Sequence, residues 1–191
     1  MEFAEIVDRH RDALVNYLTH LTRCRQRAED LAQEAFVRLY RSMQESREVE
    51  QVGPYLYRIA TNLAVSAVRR ERRWRLLTPR LAVAAERTVP APDAGLVSGE
   101  IERQVTAALE ALPLKFRAPL VLYEMEEWSY EDIARALDCR LGTIKSRIAR
   151  ARELLRRQLA PWWTGGNHER QRAAGVAAGP AAGKGIVSLH I

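Results

Sequence analysis

The chain has 191 residues, with 30 Lys and Arg against 24 Asp and Glu, for a net charge of +6. That length allows one medium domain or two small ones. Its two cysteines, Cys24 and Cys139, stand far apart with no CxxC and no nearby histidine pair, which argues against a disulfide framework and a zinc site and suits a reducing compartment.

Basic residues cluster at 69–75 and 140–157, a distribution that favours a polyanionic partner. The opening MEFAEIVDRHRDAL is charged throughout and lacks the apolar core of a signal peptide. No run reaches the apolar length of a membrane span. A soluble, cytoplasmic chain without membrane insertion is expected, with each cysteine a small buried hydrophobe.

Residues 3–22 predict a helix. Phe3, Ile6, Val7, Leu14, Leu18 and Leu21 keep helical spacing, and His10 and His20 are not spaced as a metal pair. Residues 27–43 predict a second helix with a broad apolar stripe through Ala28, Leu31, Ala32, Ala35, Phe36, Leu39 and Met43. Its outer face shows Asp30, Gln33, Glu34, Val37 and Arg41. Read by itself, this is a solvated face with an i,i+4 pair from Glu34 to Arg38, although an exposed Val37 leans toward a protein contact.

Residues 44–53 are polar and predict a loop. Gly53-Pro54 then opens a helix, with the proline tolerated at its first position. In PYLYRIATNLAVSAVRRERRWR, Leu56, Ile59, Ala60, Leu63 and Ala67 are expected inside. Tyr57, Arg58, Thr61, Asn62, Val65, Arg69 and Arg72 are expected outside or at the margins. Aromatic, amide and arginine side chains on one face suit melted nucleic acid: rings stack on bases, amides read an extruded base edge and arginines hold the backbone. The same residues are also common on ordinary helices.

Prolines 79, 90 and 92, Gly95 and many alanines break the pattern over 76–97, which reads as a linker. Helical spacing resumes over 99–111 and again over 114–125, where Pro119 should cost a hydrogen bond or kink the helix.

The stretch from Ser129 to Leu159 reads as two helices joined by a tight turn. Ser129 is an N-cap, with Asp132 as the reciprocal half of a capping box, and Asp138 tolerates a left-handed turn. In the second helix Leu141, Ile144, Ile148, Ala151, Leu155 and Leu159 form one narrow stripe. The opposite face carries Gly142, Ser146, Ala149 and Arg150, flanked by Thr143, Lys145, Arg147 and Arg157. Small at closest approach, hydrogen-bonding and cationic at the edges, it meets the needs of a helix in a DNA major groove. The alternative is an amphipathic hairpin with a solvated basic face.

After Leu159 the pattern ends. Pro161-Trp162-Trp163 leads into a Gly- and Ala-rich stretch, so 161–191 is expected to be a disordered tail. The fold class expected is all-α: two small helical domains, 1–75 and 98–160, joined by a flexible linker over 76–97.

The two halves together resemble the sigma-70 family of bacterial transcription initiation factors, in its extracytoplasmic-function group. AEDLAQEAFVRLYR is similar to the polymerase-binding part of region 2, and PYLYRIATNLAVSAVRRERR to its promoter-melting, −10-reading helix. LPLKFRAPLVLYEMEEWSYEDIARALDCRLGTIKSRIARARELL resembles region 4, the −35-binding helix-turn-helix. The resemblance implies core RNA polymerase and promoter DNA as partners. It turns Asp30, Gln33 and Glu34 into a candidate polymerase contact. It implies −10 roles for Tyr57, Arg58, Asn62, Arg69 and Arg70, with the loop at 46–51 lining the base pocket. It implies −35 roles for Arg140, Thr143, Lys145, Ser146, Arg147 and Arg150. Family members are often held inactive by an anti-sigma factor, which makes one a candidate partner.

Three departures stand out. Tyr55 replaces the family's usual tryptophan, and Asp138 replaces a turn glycine. The linker, often acidic, carries Arg75, Arg80 and Arg87 against Glu86 and Asp93. The family's region 1.1 and region 3 have no counterpart. The expectation is a specificity subunit with no catalytic residue, cofactor, metal or small-molecule substrate. One competing reading, a dimeric helix-turn-helix regulator, leaves the aromatic-arginine helix at 54–73 without a purpose. Another, a DNA-processing enzyme, would need motifs absent here: P-loop, HExxH, zinc cluster or carboxylate triad.

Overall fold

The computed structural model describes residues 2–45, 51–77 and 98–173. These hold seven helices and no strand: α1 (Phe3–Thr22), α2 (Arg25–Gln44), α3 (Val52–Leu77), α4 (Ser98–Ala111), α5 (Leu114–Glu124), α6 (Tyr130–Ala136) and α7 (Leu141–Ala173). Residues 46–50 of the predicted loop at 44–53, residues 78–97 of the linker and residues 174–191 of the tail lie outside the described residues.

Helices α1, α2 and α3 pack together, and α4, α5 and α6 gather around α7. The α1–α2 turn is tight because Arg23 takes a left-handed conformation, φ 61°. Its N–H bonds Thr19 O at 2.8 Å, and the Thr22 hydroxyl donates to Leu18 O at 2.8 Å. The Arg23 bond satisfies one of the carbonyls left over at the end of α1. Ile6, Leu14, Leu18 and Leu21 of α1 meet Ala28, Ala32, Ala35 and Leu39 of α2 in a core from which water is excluded. The small residues of α2 let the helices approach closely. Arg27 of α2 pairs with Glu71 of α3 at the far end.

Helix α3 begins at Val52, so Pro54 falls at the third helical position rather than the first. Its missing N–H is still one of the unpaired first-turn donors, and nothing is lost. Leu56, Ala60, Ala64 and Ala67 are buried. Tyr57 and Thr61 correct the expected outward placement, at 1% and 8% exposed. The Thr61 hydroxyl donates to Tyr57 O at 2.7 Å, so Tyr17 donates its phenol proton to Thr61, also at 2.7 Å.

In the second unit the interior Pro119 of α5 is buried, and the carbonyl it leaves without an N–H partner belongs to the exposed Lys115. Turns with positive φ at Glu127 (54°) and Asp138 (49°) flank α6. Asp138 occupies the left-handed conformation expected of it, which places Cys139 N within 3.0 Å of Ala134 O. Ser129 caps α6 by accepting from Asp132 N at 3.1 Å. The reciprocal half of the box differs from expectation: the Asp132 carboxylate accepts from the Ser129 hydroxyl and from Arg135, not from the Ser129 backbone. Those two bonds hold its carboxyl below the usual range.

Helix α7 runs past Leu159 and through Pro161 to Ala173, into the stretch expected to carry no structure. A helix that has already formed can continue past a proline at the cost of one bond and a local bend.

The two units also pack on each other. Helix α3 lies against α6 and α1 against α5, so the buried side chains form one continuous core.

Candidate nucleic-acid interface

Helix α7 presents the clearest surface. Ile144, Ile148, Ala151, Leu155 and Leu159 are buried against α4, α5 and α6, and this fixes which face remains outside. That face carries Arg140, Gly142, Lys145, Ser146, Ala149 and Arg150, all exposed, with Thr143 and Arg147 half-buried at its margins. A side chain at Gly142 would meet nothing within 4 Å, so a ligand could come close to the backbone there. The Ser146 hydroxyl donates to Thr143 O at 2.9 Å and must rotate to address a base edge. Arg147 Nη1 approaches Cys139 Sγ at 3.1 Å, and that contact turns it toward the α6–α7 corner. Cys139 and Cys24 are half-buried rather than fully enclosed. Arg150 and Arg157 both pair with Glu153, whose carboxyl is lowered by the hydrogen bond from Arg150 first of all.

Four aromatic and charged groups set the angle of α7. Arg152 directs Nε and Nη2 at Glu124 Oε1 of α5, 3.0 and 2.7 Å away. Its guanidinium lies 5.1 Å over the Tyr123 ring, which stacks on Tyr130 of α6 at 4.8 Å and 7°. This staple joins α5, α6 and α7. Nothing in the sequence singled it out, although a Glu in the last turn of one amphipathic helix and an Arg beside another's apolar stripe are a usable signal.

On α3 the exposed residues Asn62, Ser66, Arg69 and Arg73 share one face with the half-buried Tyr55 and Arg58, within roughly 80° at about 100° per residue. Arg58 sits 5.2 Å over the Tyr55 ring, and Tyr55 Oη meets Ser42 Oγ at 3.0 Å. Arg70 is exposed to one side. Tyr57 is not on this face. Its ring lies 5.2 Å from Tyr17 and 4.6 Å from Trp128, and burial pushes its phenol pKa up. The sequence placed Tyr57 with the outer residues because α3 has core on two sides, α1 and α2 on one and α6 on the other. Ser66 and Arg73 were missed on the face, and Tyr55 entered only as a departure from a family pattern.

On α2 Asp30 and Gln33 are exposed, and Glu34 is paired with Arg38 at 2.7 Å, as its spacing suggested. Val37 and Tyr40 are exposed beside them, and Tyr40 meets Phe3 edge to face at 5.0 Å. Among the described residues no group of His, Cys, Asp or Glu is arranged to hold a metal ion, and no helix is long and apolar enough to cross a membrane.

Comparison with known proteins follows the same division. The family model described as Sigma-70 region 2 matches residues 6–74, and that described as Sigma-70, region 4 matches residues 102–155. The chain is 34% identical to the ECF RNA polymerase sigma-E factor of Haemophilus influenzae, over 83% of this chain and 88% of that protein. It is 33% identical to the ECF RNA polymerase sigma factor SigW of Bacillus subtilis, over 82% and 88%. Among solved structures it is similar to the sigma factor RpoE of Bartonella quintana, solved in complex with the anti-sigma factor NepR. There the TM-score is 0.67 at 24% identity, covering 83% of this chain and 96% of that one. A second similarity, to CnrH in complex with the cytosolic domain of CnrY, has a TM-score of 0.60 at 22% identity, covering 83% and 88%.

Proposed function

This chain belongs to the extracytoplasmic-function group of the sigma-70 family of RNA polymerase sigma factors, and we propose which of its surfaces read the promoter and which grip the polymerase. As a sigma factor it directs core RNA polymerase to specific promoters for transcription initiation. The polymerase supplies the chemistry, and this chain acts in the cytoplasm as a non-catalytic specificity subunit.

The outer face of α7 enters the major groove of the −35 element. Gly142 and Ala149 give clearance, Ser146 and Arg150 address base edges, and Arg140, Thr143, Lys145 and Arg147 hold phosphates. The single observation that carries this reading is that the buried stripe of α7 leaves this cationic, small-residue face exposed. Glu153 competes with the DNA for Arg150, so binding there exchanges one charge-assisted bond for another.

The face of α3 through Arg58, Asn62 and Arg69, with Arg70 beside it, holds the melted −10 strand. Capture of extruded bases offsets an unstacking cost of a few kcal/mol. Tyr57, which the resemblance adds to the −10 contacts, is covered in this structure by Tyr17 and Trp128, so the reading rests on the other residues of this face. Asp30, Gln33 and Glu34, with Val37 and Tyr40, form the contact to core polymerase: an acidic surface with an apolar centre on a basic chain. Two modest readers held by one polymerase reinforce each other through effective concentration. An anti-sigma factor is a further proposed partner, of the kind bound to the Bartonella sigma factor of similar fold.

Run-off transcription with purified core polymerase on a genomic library tests the reading. Transcripts should start at defined sites that share two sequence elements. Initiation at no defined site would overturn it.

A further inference from the structure

Helix α7 carries an acidic residue in the middle of a face proposed to meet a polyanion. From Arg140 to Arg157 the sequence has seven Lys and Arg and a single carboxylate, Glu153. Glu153 stands seven residues after Ser146 and so lies within about 20° of it around the helix, at the centre of the outer face. Its two oxygens are divided between two arginines. Arg150 Nη1 donates to Oε2 and Arg157 Nη2 to Oε1, each at 2.5 Å. The side chains of Arg150, Glu153 and Arg157 are 48%, 39% and 66% exposed, so the trio stands where DNA would approach. Pairs at these spacings also support a helix. That support is available on any solvated face, whereas a carboxylate placed here repels phosphates.

The geometry at Arg150 gives the carboxylate a use. Its bond to Glu153 takes Nη1 and leaves the Nε–Nη2 edge, two parallel N–H donors, without a partner among the described residues. That edge is a fork that fits O6 and N7 of guanine, and it fits two phosphate oxygens equally well. The two ligands differ in charge: a base edge is neutral and a phosphate is an anion. A phosphate on the free edge would stand roughly 7 Å from the carboxylate on Nη1, across one guanidinium and two hydrogen bonds. Repulsion at that distance, in the water-like dielectric of an exposed face, weakens binding by about two- to tenfold, and more as salt falls. A base edge meets no such repulsion.

Resting on the proposed −35 role of α7, we infer that Glu153 is a positioning residue for −35 specificity: it turns phosphate away from Arg150 and leaves the open edge of the guanidinium to a guanine. The competition between Glu153 and DNA for Arg150 is thereby confined to Nη1. Arg157, held on the other oxygen, is kept from adding a sequence-independent phosphate contact.

The test is Glu153→Gln in the full chain assembled with core polymerase. A promoter identified by run-off transcription supplies two duplexes that share the −10 element, one with the preferred −35 sequence and one with an unrelated sequence there. Titrations at several salt concentrations give the ratio of the two affinities and the salt slope. The variant should lower the ratio about two- to tenfold. It should steepen the slope on the unrelated duplex by about one, the weight of one further phosphate contact. In an Arg150→Ala background, Glu153→Gln should leave the ratio where it was. Asp8→Asn, the same change of charge at an exposed position of α1, should move neither ratio nor slope. Circular dichroism reports that each variant is folded. An unchanged ratio in Glu153→Gln would overturn the inference. So would a ratio that rises, since removing a mere competitor frees Arg150 for its stronger partner, the base. An equal shift in Asp8→Asn would overturn it too, by assigning the effect to net charge. A wild-type complex that does not distinguish the two duplexes would overturn the −35 role of α7 itself, and this inference with it.

Discussion

Arg152→Ala removes the staple that sets α7 against α5 without touching the face proposed for DNA. The pair with Glu124 is mostly enclosed: the side chains are 27% and 15% exposed. Both guanidinium nitrogens address one carboxylate oxygen, so they count as one charge-assisted contact rather than two. Such a contact contributes about 1.5–3 kcal/mol. The ring contact to Tyr123 adds about 0.5–1 kcal/mol. Glu124 would be left enclosed without its cation, so the total loss is roughly 2–4 kcal/mol. For a chain of this size that corresponds to a melting temperature lower by roughly 5–15 °C. Calorimetry or thermal circular dichroism reads the shift. A double-mutant cycle with Glu124→Gln should give a coupling between about 1 and 3 kcal/mol. Binding to a −35 duplex should weaken as well, since α7 loses its fixed angle. A loss under about 0.5 kcal/mol, in the range of ordinary surface changes, or an additive cycle would refute the reasoning.

Arg150→Ala should cost about 1–3 kcal/mol on the preferred −35 sequence and less on altered ones, if its contact is to a base edge. Equal loss on every sequence in a binding titration would make it a phosphate contact. Lys145→Ala should weaken all sequences alike and reduce the salt slope by about one. Asp30→Arg combined with Glu34→Arg should lower affinity for core polymerase in a pull-down or titration. It should leave the melting temperature nearly unchanged, because the Glu34–Arg38 pair is exposed and such pairs contribute about 0–1 kcal/mol. His10 and His20 both have pKa values lowered below 6.5, mainly by burial. Between the lowered values and 6.5 the unfolded chain binds more protons, so stability falls as pH drops through 6.5 and levels off below the folded values. Glu126, raised by burial, opposes this above 4.5. Melting curves across pH 7.5–5 should show a net loss toward acid that His20→Asn reduces. An unchanged slope in that variant would exclude His20 as a source.

The sequence made most of the fold legible wherever one helix had one core-facing side. The stripe from Ile144 to Leu159, the cap at Ser129 and the left-handed Asp138 are local features, and each is found where its residue type places it. The candidate interfaces followed from the same logic, since the exposed face of α7 is the complement of its buried stripe. What escaped depends on contacts distant in sequence. Tyr57 looks like a surface residue on a helical wheel and is buried because Trp128, far along the chain, covers it. Arg117 sits in the apolar run LPLKFRAPLVL, where an isolated arginine signals a buried charge with designated partners. Those partners, carbonyls at the ends of α1 and α4, are not encoded in any local pattern. Docking of the two units escaped for the same reason: a stretch that reads as a linker says nothing of whether the modules it joins attract.

The central claim is that one small chain reads two separated promoter elements while bound to the polymerase. Footprinting of the assembled complex on a promoter, paired with permanganate reactivity of its thymines, tests this most directly. The account predicts protection near −35 together with reactive, unpaired thymines near −10, both lost when Arg150→Ala is combined with Asn62→Ala. Protection at only one element, or melting that survives the double variant unchanged, would contradict it.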